Sequence, residues 1–141
     1  MKIFVDANIL VSVLNKEYPL FTYSARILSL SDRRNFEICT SPVCLAIAWY
    51  FAEKKSNANA AREKIRTLSK HISVSSTTKE TVEKTLANKK INDFVDGLEY
   101  YSALSVKCNV IVTEDTRDFY FSEIPVLKAR DFFEKHLAKG T

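Results

Sequence analysis

The chain has 141 residues, of which 46% are hydrophobic and 27% charged, and its formal net charge is +4. This length predicts a single domain over residues 1–141 that buries about two-thirds of its unfolded surface. No run of 18 apolar residues occurs, which excludes a membrane span, and the modest positive charge permits a phosphate-rich partner without requiring one.

The start of the chain and its cysteines indicate the compartment. The sequence begins directly on a predicted strand, without a basic and then apolar leader, so we expect no signal peptide and a cytoplasmic location. The three cysteines, Cys39, Cys44 and Cys108, have no paired spacing and apolar neighbours. We interpret them as reduced core residues rather than disulfide or metal ligands.

Hydrophobic periodicity predicts an alternation of short strands and helices. The strands are expected near residues 3–5, 36–39, 71–74, 110–112 and 124–127. The helices are expected at residues 7–15, 20–31, 42–55, 57–70, 77–88, 93–107 and 129–138. Thr77 or Thr78 would cap the fifth helix, with Glu80 closing a capping box. The alternation predicts an α/β fold with a mostly parallel sheet of about five strands, and Pro125 favours an edge position for the last strand.

The helix predicted at residues 42–55 is apolar on nearly every side, so we expect it to be largely buried. The helix at residues 93–107 is also expected to be buried.

Acidic residues carry the main functional signal. Asp6 ends the first strand and therefore faces the crevice beyond the carboxyl ends of a parallel sheet. Glycine-rich nucleotide motifs and a serine-hydrolase elbow are absent from the sequence, and His71 and His136 are too isolated for a zinc site or a triad. The remaining question is which other carboxylates reach the same crevice.

Asp93 and Asp96 fall in the first turn of a predicted helix that is apolar on two sides. Stabilising the positive helix N-terminus explains Asp93 as well as a functional role does. Asp96 lies inside the helix, where burial without a partner would be costly, so a functional role is favoured.

A third acidic cluster follows the strand at residues 110–112, at the same predicted edge as Asp6. Glu114 and Arg117 are better explained as exposed loop charges. Two carboxylates about 4 Å apart repel by about 4 kcal/mol at an effective dielectric of 20. A divalent cation with oxygen ligands, Mg²⁺ or Mn²⁺, would remove that penalty.

Three segments resemble the motifs of PIN-domain ribonucleases, in the family's order and over almost the whole chain. These are FVDANIL at residues 4–10, DFVDGL at 93–98 with YSA at 101–103, and IVTEDTRDF at 111–119 with IPV at 124–126. The small single-domain form is similar to the VapC-like toxins of toxin–antitoxin pairs. The resemblance implies a PIN-like three-layer fold around a central, mostly parallel sheet.

By this resemblance the protein would be a metal-dependent endoribonuclease, with an antitoxin partner and a homodimeric form. Asp6, Asp96 and Asp118 would be the catalytic, metal-coordinating acids. Asp93 and Asp115 would be further metal ligands, and Asn8 and Thr113 polar supports. The residues that contact RNA stay unassigned, because surface and helix-end charge explains most lysines and arginines.

One position departs from the family. PIN domains usually place a Glu in the helix corresponding to residues 42–55, where Ile47 stands here. Glu53 is nearly two turns further on, about 9 Å along the helix axis. This gap favours a second interpretation, a catalytically silent PIN-like module that binds RNA or protein. A phosphatase with an aspartate nucleophile is a third, but Asn8 occupies the position of its second acid.

Overall fold

A computed structural model describes residues 1–138 of the chain, so that residues 139–141 of the predicted domain lie outside the described range. Five parallel strands form its sheet, in the order β3-β2-β1-β4-β5. The strands are β1 (Lys2–Val5), β2 (Glu37–Thr40), β3 (Ser73–Val74), β4 (Val110–Val112) and β5 (Val126–Leu127). The predicted fold class and strand number are confirmed, and β5 lies at an edge as Pro125 indicated.

Within residues 1–138, seven α-helices connect and cover the strands. They are α1 (Ala7–Leu14), α2 (Leu20–Leu28), α3 (Pro42–Lys55), α4 (Ala58–Ser69), α5 (Lys79–Ala87), α6 (Phe94–Ser105) and α7 (Ala129–His136). Two short 3₁₀ turns, Ser29–Asp32 and Thr116–Phe119, complete the elements. Helix α1 packs against α2 and α3, α3 against α4, α5 against α6, and α2 against α7.

The central strand explains why the sheet is covered on both faces. Ile3, Phe4 and Val5 alternate between the two faces of β1, yet all three are fully buried. Helices therefore lie on both sides of the sheet, which gives the predicted three layers. Helix α3 begins where predicted, with Ser41 accepting a hydrogen bond from the Cys44 amide at 3.2 Å and Pro42 at the first position.

Two details of the prediction were wrong. Helix α3 is not buried all round, because only Cys44, Ala48 and Ala52 form its buried stripe, while Tyr50 is 54% and Phe51 43% exposed. Small residues on the inner face let α3 approach its neighbours closely and leave the large aromatic groups outside.

The capping box of α5 has a different partner, although its cap is one of the two predicted residues. Thr78 is the cap residue, which places Thr81 rather than Glu80 in the partner position of the capping box.

Within residues 1–138, no helix combines the length and the apolar character that crossing a membrane would need.

Candidate functional site

The carboxyl ends of β1 and β4 meet the first turns of α6 at a cleft of about 560 Å³. The two strands are adjacent in the sheet, and the Asp6 amide donates to the carbonyl of Val112 at 3.0 Å. Acidic side chains line much of the cleft: Asp6, Glu17, Asp93, Asp96, Glu99, Glu114 and Asp115. None of its lining side chains within residues 1–138 is basic.

Asp6 is held rigidly at the bottom of the cleft. Its side chain is 7% exposed, and its Oδ1 accepts a hydrogen bond from the Ala7 amide at 2.6 Å as the cap of α1. Its Oδ2 accepts from the Thr113 hydroxyl at 2.7 Å. Oδ1 also accepts a weak hydrogen bond from the Cys44 thiol at 3.9 Å, whereas Oδ2 keeps lone-pair capacity for another ligand.

Asn8 and Thr113 connect the loops that follow β1 and β4. The Asn8 amide nitrogen donates to Thr113 Oγ1 and to Asp115 Oδ2, both at 3.2 Å. The Glu114 amide donates to Asn8 Oδ1 at 3.2 Å, and the Asp115 amide to Thr113 Oγ1 at 3.1 Å. The supporting contacts that the sequence predicted for Asn8 and Thr113 are therefore present around Asp6 and Asp115.

Asp93 and Asp96 reach the cleft from the start of α6. Asp93 caps the helix, with one carboxylate oxygen accepting from the amides of Val95 at 2.9 Å and Asp96 at 3.2 Å. The capping interpretation is therefore confirmed, and Asp93 also lines the cleft. Burial, followed by the negative charges of Asp93 and Asp118, raises the pKa of Asp96 to about 7.

The loop after β4 distributes its acids differently from expectation. Asp115 lines the cleft, whereas Asp118 is exposed on the 3₁₀ turn and is not among the lining residues. Asp118 is nevertheless close enough to affect the pKa of Asp96. The prediction that Glu114 is a plain surface charge was wrong: it is half-buried, lines the cleft and accepts from the Ala129 amide at 2.9 Å, at the start of α7. Arg117 is exposed, as predicted.

Glu99 is the site residue that the sequence reasoning missed. It lies on α6 one turn after Asp96, is only 2% exposed, and lines the cleft. Burial, and then the charge and hydrogen-bonding contact of Asp6, raise the pKa of Glu99 to about 10. The available signal was the spacing of three residues that relates Asp93, Asp96 and Glu99 along one helix.

Cys44 completes the buried end of the cluster. Its Sγ lies 3.9 Å from Asp6 Oδ1, and burial raises the pKa of its thiol well above the ordinary value. The three cysteines are all free and buried, as predicted. One potential ligand atom from each of Asp6, Cys44 and Glu99 lies within 4.8 Å of the others.

The family model for the PIN domain matches residues 2–117. The chain belongs to the PIN-domain family. The family predicted from the three acidic segments is therefore confirmed, and the cleft described above is the acidic cleft of a PIN domain.

A curated relative and several solved structures are similar to this PIN domain over nearly their whole length. Ribonuclease VapC1 of Aquifex aeolicus (strain VF5) is 25% identical over 138 residues, covering 95% of this chain and 94% of the relative. VapBC-1 from nontypeable Haemophilus influenzae has a TM-score of 0.70 at 20% identity, covering 92% of this chain and 99% of that one.

Two further structures share the fold. VapBC2 from Rickettsia felis, bound to a DNA fragment from its promoter, has a TM-score of 0.69 at 17% identity and covers 91% of this chain and 98% of that one. Mycobacterium tuberculosis VapC20, described as a Sarcin-Ricin loop cleaving toxin, has a TM-score of 0.66 at 18% identity. The match covers 87% of this chain and 98% of that one. These likenesses confirm the PIN-like fold and the similarity to VapC proteins.

The cleft fits a divalent metal ion, although α3 contributes no acid to it. Carboxylate oxygens and the Asn8 amide are the ligands that Mg²⁺ and Mn²⁺ prefer, and one Glu99 oxygen, Oε2, is buried without a hydrogen-bond partner. Ile47 lines the cleft, so the position expected to hold the family's Glu does face the site. Glu53 is exposed and is not among the lining residues.

Proposed function

We propose that this PIN-domain protein is a Mg²⁺- or Mn²⁺-dependent endoribonuclease and the toxin of a toxin–antitoxin pair, acting in the cytoplasm. The observation that carries the proposal is the convergence of acids from β1, α6 and the loop after β4 on one cleft without lining basic groups. Like-charged carboxylates at this density are unfavourable unless a cation binds among them.

The proposed metal-coordinating and catalytic acids are Asp6, Asp96 and Asp118. Asp93 and Asp115 add negative charge beside them, while Thr113 and Asn8 hold Asp6 and Asp115 in place by hydrogen bonds. Asp118 is exposed on the 3₁₀ turn, and its negative charge acts on Asp96.

When bound, the cation would acidify and orient a water molecule and neutralise charge on the scissile phosphate. Water attacks phosphorus and the bond to the 3′ oxygen breaks, which leaves a 3′-hydroxyl and a 5′-phosphate. No side chain forms a covalent intermediate, so the acids act by electrostatics and position.

The shape of the cleft also supports an antitoxin partner. Its lining also includes apolar side chains from α1, the start of α2, and α3: Val11, Leu20, Ile47 and Phe51. A partner segment that places a basic side chain among the acids and apolar side chains against these residues would block the site. The relatives of known structure include VapBC complexes. A homodimer is proposed on the family resemblance.

Cleavage of a labelled RNA by the purified chain tests the activity. We expect cleavage with Mn²⁺ or Mg²⁺, none with a chelator, and none for Asp6→Asn purified in the same way. Asp131→Asn, which removes an exposed acid on α7, is the matched control and should cleave normally. Metal-dependent cleavage that persists in Asp6→Asn would overturn the assignment of this cleft.

Metal binding has its own test in thermal unfolding. Millimolar Mn²⁺ should raise the midpoint of the native chain more than that of an Asp6→Asn/Asp96→Asn variant, because the ion binds only the folded state. A native midpoint that does not respond to Mn²⁺ would contradict the metal site.

The partner is tested by co-expressing the chain with the reading frame immediately upstream of its gene. The pair should elute as one complex in size exclusion at micromolar concentration, and two separate peaks would count against the pairing.

The second candidate is a silent PIN-like module, favoured by the absence of a carboxylate at Ile47. It predicts RNA or protein binding without metal-dependent cleavage, so the same assays separate the two functions.

A further inference from the structure

Helix α3 leaves a gap in the ring of acids around the cleft. Ile47 is its residue on the cleft wall, and no carboxylate of α3 is among the lining side chains of residues 1–138. The neighbouring buried position, Cys44, approaches Asp6 with a neutral thiol. A cation held at Asp6 therefore receives no negative ligand from this side.

Glu99 provides an acid at a comparable depth from a different helix. It lies in the second turn of α6, follows Asp96 by three residues, and therefore lies on the same side of the helix as Asp96. Glu99 is only 2% exposed and forms part of the cleft wall. Its Oε2 has no hydrogen-bond partner within residues 1–138.

A buried carboxylate oxygen without a partner is unusual, because burial removes its hydration and nothing replaces it. Two explanations are open for such a group in a cleft of acids. Either Glu99 serves only the packing of the cleft, as a neutral carboxylic acid against Asp6, or its free oxygen is directed at a cation.

We propose that Glu99 is a direct metal ligand that replaces, from α6, the carboxylate that α3 lacks at Ile47. A ligand oxygen of Glu99 and one of Asp6 lie within 4.8 Å of each other, so a small side-chain adjustment would let both residues hold one cation. The inference rests on the proposed metal-dependent function and adds a ligand to its site.

Glu99→Gln separates the two explanations because glutamine keeps the shape and polarity of the side chain but cannot become the anionic ligand that a cation would bind. Mn²⁺ binding to the full chain is measured by calorimetry and by the loss of the free Mn²⁺ electron paramagnetic resonance signal. A metal ligand predicts that Glu99→Gln weakens Mn²⁺ binding at least tenfold, since loss of even an outer partner of a ligand costs about 10- to 100-fold.

Glu53→Gln is the matched control. Glu53 is an exposed acid near the end of α3 that is not among the lining residues of the cleft, and the substitution is the same. We expect less than a twofold effect there. Equal Mn²⁺ affinity in native protein and Glu99→Gln, with folding intact by circular dichroism, would overturn the proposal and leave Glu99 a packing residue.

A rescue experiment tests the replacement itself. Adding Ile47→Glu to Glu99→Gln returns a carboxylate to the cleft from α3, so the double variant should recover most of the lost Mn²⁺ affinity. A double variant as weak as Glu99→Gln alone would show that the two positions are not interchangeable and would overturn the replacement.

Failure of this inference can be distinguished from failure of the proposed nuclease function. If the native chain cleaves RNA with metal and the Glu99→Gln variant binds Mn²⁺ as tightly as the native chain, the proposed function stands and this inference fails. A chain that binds no Mn²⁺ in its native form loses the inference and the metal site together.

Discussion

The Thr113 hydroxyl donates a 2.7 Å hydrogen bond to Asp6 Oδ2 in a fully buried position. The Thr113 hydroxyl oxygen also accepts hydrogen bonds from the Asn8 side chain and from the Asp115 amide, so its one donor and two acceptor sites are all used. Thr113 therefore fixes three groups of the acidic cleft at once and relates the loop after β4 to the loop after β1.

Replacing Thr113 with valine should destabilise the metal-free protein by about 1–3 kcal/mol. The substitution keeps the shape but leaves Asp6 Oδ2 and two N–H donors without this partner, and buried unsatisfied groups cost about that much. Urea unfolding at neutral pH measures the effect. Thr113→Ser retains the hydroxyl and should lose much less. A valine variant as stable as the serine variant would mean that the hydroxyl contributes little to the cleft.

Ile47→Glu should respond to metal. Without a cation, a charge replaces a half-buried aliphatic group near like charges, so we expect a loss of about 1–3 kcal/mol. With saturating Mn²⁺ the loss should shrink and RNA cleavage should rise, because the new carboxylate gains a counter-charge.

The control for this prediction is Ile47→Gln, which places a polar group of the same size on the cleft wall without the charge. Its destabilisation should be the same at zero and saturating Mn²⁺. If the loss in Ile47→Glu is also independent of Mn²⁺, then this position of α3 does not face the cation.

The metal-free protein should lose stability as the pH rises. The pKa of Glu99 is raised from 4.5 to about 10, so between these values the folded protein keeps a proton that the unfolded chain has released. Stability is therefore fully present below about pH 4.5 and declines through this window, and Asp96, raised to about 7, contributes in the lower part.

Urea unfolding of the metal-free chain between about pH 5 and pH 9 measures this decline. Glu99→Gln should flatten the curve, whereas Glu53→Gln, at an exposed acid outside the cleft, should not. Bound Mn²⁺ should reduce or reverse the decline, because the cation competes with protons for the same oxygens. Parallel curves for the native chain and Glu99→Gln would contradict the raised pKa.

Gly97 should tolerate no side chain. A Cβ on Gly97 of α6 would lie 2.3 Å from Thr85 Cγ2 of α5, and Thr85 is held by a 2.8 Å hydrogen bond from its hydroxyl to the Thr81 carbonyl. Gly97→Ala should thus cost about 1–3 kcal/mol from overpacking, although alanine favours a helix by about 1 kcal/mol.

The Gly97→Ala/Thr85→Ser variant removes the clashing methyl group and keeps the hydroxyl. Its thermal midpoint should return towards the native value. A double variant no more stable than Gly97→Ala would show that the close approach of α5 and α6 at this point is not the cause.

Much of this architecture was predictable because strand ends and apolar periodicity are local properties. The strand at residues 110–112 and the helix at 42–55 were predicted with the observed bounds, and parallel pairing brings Asp6 and the loop after β4 to one edge. The acids of α6 lie at this edge because of the way that helix packs.

The misses share one cause, which is that sequence does not say which side of an apolar helix is covered. Tyr50 and Phe51 were expected inside because α3 is apolar all round, yet its small residues make the contact. Glu99 was overlooked because an acid within a buried helix has no local signature, and its depth follows only from how α6 lies on the sheet. Asp115 lines the cleft while Asp118 does not, a distinction set by the 3₁₀ turn.

The pairing of β1 with β4 has a consequence for the order of synthesis. Ile3 pairs with Val110, and the bond from Thr113 to Asp6 spans 107 residues. At about 10 residues per second, Thr113 is added about 10 s after Asp6. During that interval β2 can already pair with one side of β1, but the nascent chain lacks β4 on the other side and the Thr113 hydroxyl that donates to Asp6. A nascent chain, or one cut short before residue 110, therefore holds no assembled cleft, and the cell meets any activity of this protein only after its synthesis is nearly complete.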